Sequence, residues 1–146
     1  MIKFILLVNK QGQTRLSKYF EWKQTTEKLL LEGEIVRKCI RRTQNNVSFV
    51  LYKDVKAIYK RFASLYFIIG VSRDEENDMI FLDLIQFMVE TLDKYFGNVC
   101  ELDILYHLEK AHFIVDEIVT NGEITETNQE LILKQMKAFD AAGAEI

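Results

Sequence analysis

A chain of 146 residues, 49% apolar and 28% charged, is long enough for one domain with its own core and has ordinary globular composition. Its net charge of −3 gives no electrostatic case for nucleic acid, and no apolar run reaches the ~20 residues of a membrane-spanning helix. Met1 to Val8 is too short for a signal h-region with its flanks, and Cys39 and Cys100 form no CxxC pair, so the expectation is a cytosolic chain with two reduced thiols and no linker, repeat or low-complexity segment.

Ile2 to Val8 reads as a strand, and Asn9-Lys10-Gln11-Gly12-Gln13 as a turn in which Gly12 supplies a positive φ. Thr14 to Phe20 alternates and completes a hairpin as an edge strand. Thr26 to Arg42 reads as a helix with Leu29, Val36 and Ile40 on one face and Gly33 between them. Gly33 costs up to ~1 kcal/mol against alanine there unless it lets the helix approach the sheet closely. Arg37, Lys38, Arg41 and Arg42 complement the helix dipole; a docking patch for an acidic partner is the alternative. Val47 to Tyr52 and Val55 to Arg61 form a second hairpin around Lys53-Asp54.

Phe62 to Val71 follows, an almost unbroken apolar run rich in β-branched and aromatic residues. A half-exposed strand would alternate, so this one is expected at the centre of a sheet with both faces covered. Asn77 to Phe96 is a helix with Phe81, Leu84, Ile85, Met88, Leu92 and Tyr95 on one face, widened by Leu82, Val89 and Phe96. That stripe exceeds what one sheet face needs and predicts a constitutive partner chain covering it. Gly97 supplies its C-cap. Asn98 and Glu101 have capping-box spacing for a helix from Val99 or Cys100 to Val119, with Ile104, Leu105, Leu108, Ala111, Val115 and Ile118 inward. Asn121-Gly122 ends it, and Thr127 with Glu130 caps a last helix carrying Ile132, Met136 and Phe139.

No P-loop, GxGxxG or GxSxG elbow is present. His107 and His112 are five residues apart and do not share a helix face, and His107 with Asp103 supplies two ligands where zinc needs three or four. The acidic loop Asp74-Glu75-Glu76-Asn77-Asp78 lacks the spacing of a calcium loop and suits a helix start instead. The residues therefore describe a globular module with no catalytic motif, no metal set and no cofactor site.

Several stretches resemble the small (sigma) chains of adaptor-protein complexes. These are Asn9-Lys-Gln-Gly-Gln-Thr-Arg15-Leu, Tyr59-Lys-Arg-Phe-Ala-Ser-Leu-Tyr-Phe67, Leu92-Asp-Lys-Tyr-Phe-Gly-Asn-Val-Cys-Glu-Leu-Asp103, Glu109 to Glu117 and Gly122 to Thr127. The resemblance covers Met1 to about Phe139, and the hairpin looks most like the small chain of the fourth adaptor complex. Ala57 and Tyr106-His107-Leu108 depart from the family pattern. The element order ββαβββααα joined to this resemblance implies a longin-like α/β sandwich over residues 1–146: a five-stranded antiparallel sheet, one helix on one face, two on the other, and a C-terminal helix.

The resemblance further implies a non-catalytic subunit of a heterotetrameric vesicle coat, with two large chains and one medium chain as partners and membrane contact only through the complex. Such a chain works on trans-Golgi, endosomal or coated-vesicle membranes, and it can hold acidic dileucine signals from cargo tails. By matching position, the leucine pocket would be Ala63, Leu65, Val89, Val99 and Ile104 with Asn98 at its edge, and Arg15 would meet the hydrophilic residue upstream of the leucines. Each of the aliphatics also fits plain core. Another longin-type tethering subunit, or a SNARE regulatory domain, is the alternative; an end at Ile146 without a heptad segment or anchor speaks against the SNARE version.

Overall fold

A computed structural model describes residues 1–41 and 49–144, with side chains to residue 142. Five strands form one antiparallel sheet: β1 (Ile2–Asn9), β2 (Thr14–Tyr19), β3 (Phe49–Tyr52), β4 (Val55–Phe62) and β5 (Leu65–Ser72), in the order β2-β1-β5-β4-β3. The expected central strand is central. It pairs with β1 through Ile5 opposite Ile69 and with β4 through Ile58 opposite Ile69. Side chains alternate between faces of a strand, and β5 feeds two cores. Leu65, Phe67, Ile69 and Val71 join one cluster; Tyr66 and Ile68 join the other. Two buried faces are why the run has no polar alternation.

The strand begins later than the sequence suggests. Ala63-Ser64 is the turn between β4 and β5, and Ala63 has φ 53°. No glycine, proline or asparagine marks this turn, so the usual signals are missing. Gly70, read as the approach to a polar turn, lies inside β5 and is required there by the ring of Phe4.

Helix α1 (Thr25–Arg41) covers one sheet face with Leu31, Ile35, Val36 and Cys39. Of the expected face, Val36 is buried and Ile40 packs against the same core, but Leu29 is corrected: it is 65% exposed, and the buried face centres roughly a quarter turn away at ~100° per residue. Three consecutive leucines leave the phase of this helix undetermined by hydropathy. A Cβ on Gly33 would meet nothing within 4 Å, so Gly33 faces open space and permits no close approach. Lys38 donates to the backbone carbonyl of Leu51 at 2.9 Å, and Arg37 pairs with Glu34. Arg42, Val47 and Ser48, placed above in a helix end and a strand start, lie outside the described residues.

The other face carries α2 (Asp78–Phe96), α3 (Glu101–Tyr106), α4 (Leu108–Ile118) and α5 (Gln129–Ala144). Helix α2 buries Phe81, Leu84, Ile85, Met88, Val89, Thr91 and Leu92. The partner expected on its wide stripe is corrected: the stripe is filled within the chain, because α4 and α5 pack on it as well as β4 and β5. At its start Asp78 takes an ion pair from Lys56 at 3.0 Å. At its end Gly97 has φ 66°, and its N–H donates to the Asp93 carbonyl at 2.8 Å.

The single helix expected from Val99 or Cys100 to Val119 is two. His107, at φ −125° and ψ 47°, ends α3 and starts α4. The break turns Leu105 and Leu108 outward, while Ile104, Ala111, Val115 and Ile118 stay buried. Asn98 does not cap α3. At φ 65° it belongs to the end of α2, its N–H donating to the Asp93 carbonyl at 3.2 Å. The residue before α3 is Cys100, whose N–H donates to Oδ2 of Asp103 at 3.0 Å. Asn121-Gly122 turns a short ribbon, β6 (Val119–Thr120) with β7 (Glu123–Ile124), and the N–H of Ile2 donates to the Gly122 carbonyl at 2.9 Å. Asn128, rather than Thr127, caps α5: its Oδ1 accepts from the N–H of Leu131 at 3.3 Å. Ile132 and Met136 are buried, and Phe139 lies half-exposed against Phe113.

Candidate functional site

The turn after β1 is built around Asn9, which is 1% exposed and fully engaged. Its Oδ1 accepts from the N–H groups of Gln11 at 3.0 Å and Gln13 at 2.8 Å, the side chain standing in for backbone in a tight turn. Its Nδ2 donates to Oε1 of Gln13 at 2.9 Å and to Oε1 of Glu101 at 2.8 Å. Arg15, on β2, completes the group: Nε donates to Oε1 of Glu101 at 2.8 Å and Nη2 to Oε1 of Gln13 at 3.0 Å. The side chains of Arg15 and Glu101 are 25% and 23% exposed. The amide of Asn9, and then the guanidinium of Arg15, hold the Glu101 carboxyl below the usual glutamate range. The N-terminal hairpin is thus fastened to the first turn of α3.

The aliphatic residues proposed for the pocket are found in one large hydrophobic cluster. Leu65, Val89, Val99 and Ile104 all belong to the core cluster under α2, each 3% exposed or less. Ala63 and Asn98 are exposed, and both sit in left-handed turns, at φ 53° and 65°. Arg15 reaches the same neighbourhood through Glu101, three residues before Ile104 on α3, a spacing that puts both near one helix face. The apolar half is covered by the chain's own atoms, so a leucine could enter only with local movement of that cover. In the sequence, Asn9 and Gln13 carry one signal, an Asn at the head of a turn, and Glu101 reads as a capping partner.

A second polar group ties α5 down. The hydroxyl of Tyr95 donates to Asp140 at 2.8 Å, and Nζ of Lys110 pairs with the same carboxylate at 3.2 Å. Bonds to Asp140 and Tyr95 push the Lys110 ammonium above its usual range. His107 stacks on Phe96 at 6.1 Å between ring centroids, and burial pushes the His112 imidazole down. Among the described residues, no three of His, Cys, Asp and Glu are arranged to hold a metal ion, and no helix is long and apolar enough to cross a membrane.

Residues 1–143 match the family described as the clathrin adaptor complex small chain. This chain belongs to that family. It is 54% identical over 141 residues to the AP-4 complex subunit sigma of Arabidopsis thaliana, covering 97% of this chain and 98% of that one. To the AP-4 complex subunit sigma-1 of Homo sapiens it is 49% identical over 140 residues, 96% of each chain. To the human AP-1 complex subunit sigma-3 it is 43% identical, covering 96% of this small chain and 90% of the other. The likeness to the fourth complex over the first therefore extends well beyond the hairpin. A chain in the structure described as a homology model of the full-length AP-3 complex in a stretched open conformation superposes with TM-score 0.78 at 29% identity, covering 99% of this small chain and 96% of that one.

Proposed function

We propose that this single-domain chain is the small subunit of a heterotetrameric adaptor complex of vesicle transport, most like the fourth complex, joined by two large chains and one medium chain. The observation that supports this most is likeness over the whole length: AP-4 sigma chains match at 49–54% identity across almost every residue, hairpin and α3 included. The subunit acts by binding and not by catalysis, and it reaches trans-Golgi, endosomal or coated-vesicle membranes through its partners. Affinity purification of the tagged chain tests the assembly. Two large chains and one medium chain in equal amounts are expected, and a chain recovered alone would overturn it.

The cargo part of the proposal is that Leu65, Val89, Val99 and Ile104, with Ala63 and Asn98 at the rim, take the two leucines of an acidic dileucine signal, while Arg15 meets the residue upstream. Burying a leucine gives roughly 1.5–3 kcal/mol, and a solvent-screened contact at Arg15 adds less. Ordering costs then leave a micromolar-class interaction, suited to cargo that must be released. Calorimetric titration of the assembled complex with a Glu-x-x-x-Leu-Leu peptide tests it. No heat and no binding would end the cargo reading and leave the subunit assignment standing.

A further inference from the structure

We propose that Glu101 is a specificity-determining residue of this site, because its carboxylate occupies Arg15 and competes there with the acidic side chain of an incoming signal. This rests on the cargo reading of Arg15. A guanidinium presents its N–H groups as a planar fork, and a carboxylate binds it best along one edge with two parallel bonds. In this chain the Nε–Nη2 edge is already spoken for: Nε gives its proton to Glu101 at 2.8 Å and Nη2 bonds Gln13 at 3.0 Å. Among the described residues only Nη1 has no protein acceptor.

The occupant is built in. Oε1 of Glu101 also accepts from Nδ2 of Asn9 at 2.8 Å, and Asn9 is itself fixed by two backbone N–H groups and buried. The carboxylate therefore faces Arg15 without having to be recruited. An approaching signal meets a neutral pair and not a free cation. It must either bind the outer Nη1–Nη2 edge beside a carboxylate of its own sign, or take the Nε–Nη2 edge from Glu101 and Gln13. Either way, an acidic residue upstream of the leucines gains little over a neutral one while Glu101 is charged. The expected character of the site is weak discrimination at that position, with most of the affinity left to the two leucines.

The test is a four-way titration on the assembled complex: wild type and Glu101→Gln, each with a Glu-x-x-x-Leu-Leu peptide and its Gln-x-x-x-Leu-Leu counterpart. Glutamine keeps an acceptor for Asn9 while removing the charge, and a thermal melt of each variant controls for folding. The ratio of the two peptide affinities should rise about threefold or more in Glu101→Gln, the scale of one partly exposed ion pair. That gain should vanish when Arg15→Ser is added. An unchanged or smaller ratio in Glu101→Gln, with Arg15→Ser still weakening the wild type, would overturn the proposal alone; a smaller ratio would mean that Glu101 aims Arg15 at cargo. If no variant binds either peptide, the cargo reading fails and this proposal fails with it.

Discussion

The ring of Phe4 fills the space that a Cβ on Gly70 would take: Cε2 and Cζ would lie 2.1 and 2.3 Å from it. The two residues face each other in the β1–β5 ladder, and Phe4 is fully buried, so the ring has nowhere to go. Gly70→Ala should therefore destabilise the chain by about 1–3 kcal/mol, the usual cost of overpacking. Phe4→Leu in the same background should recover part of the loss. Urea unfolding of the three variants reads both effects.

The Glu101 carboxyl lies below its ordinary value of 4.5 in the folded chain. A depressed folded value means stability that is present above the unfolded value and lost as pH falls through the folded one. Wild type should then be more stable than Glu101→Gln near neutral pH, and the two urea midpoints should converge as the solution is acidified below that ordinary value. Midpoints that stay apart in acid would show that the tie works by shape and not by charge.

Exposed apolar side chains include Trp22, Leu29 and Leu30 around the start of α1, and Leu102, Leu105 and Tyr106 on α3. Clusters of this kind mark surfaces that other chains cover. Expressed alone, the chain should self-associate or precipitate, and co-expression with a large adaptor chain should yield a soluble species. Light scattering across a concentration series checks this; a clean monomer at every concentration counts against it.

Val89 is 3% exposed in the cluster that holds Leu65, Val99 and Ile104. An unpaired carboxylate there costs several kcal/mol, so Val89→Asp should abolish dileucine binding in the assembled complex and also lower the melting temperature. Arg15→Ser should weaken peptide binding only modestly, without loss of assembly, and less so as salt rises. Titration at two salt concentrations beside a melt separates the two behaviours.

What could be read from the residues was governed by how much each element depends on distant contacts. The β5 run declared itself because both its faces are buried, and α2 because its stripe spans more than one face. The phase of α1 did not, since Leu29-Leu30-Leu31 suits several rotations and only the sheet selects one. The break at His107 was invisible because the apolar period runs straight across it. Within the candidate site, the aliphatics were legible as inward positions of their elements. The bond from Asn9 to Glu101 was not, because it joins residues 92 apart in sequence and neither has a local pattern that names the other.

The placement of β1 has a consequence for how the chain comes off the ribosome. Its inner partner is β5, with Ile5 opposite Ile69, while the intervening sequence supplies an edge strand, a helix and the second hairpin. Pairings across such separations close late, because the loop entropy must be overcome before the contact can reward it. At elongation speeds of ~5–20 residues per second the Ile2–Val8 segment spends seconds with its aliphatic side chains and one ladder edge unsatisfied. The nascent hairpin of this small chain is therefore the stretch most in need of protection, and a chaperone or a partner subunit made nearby would meet it first.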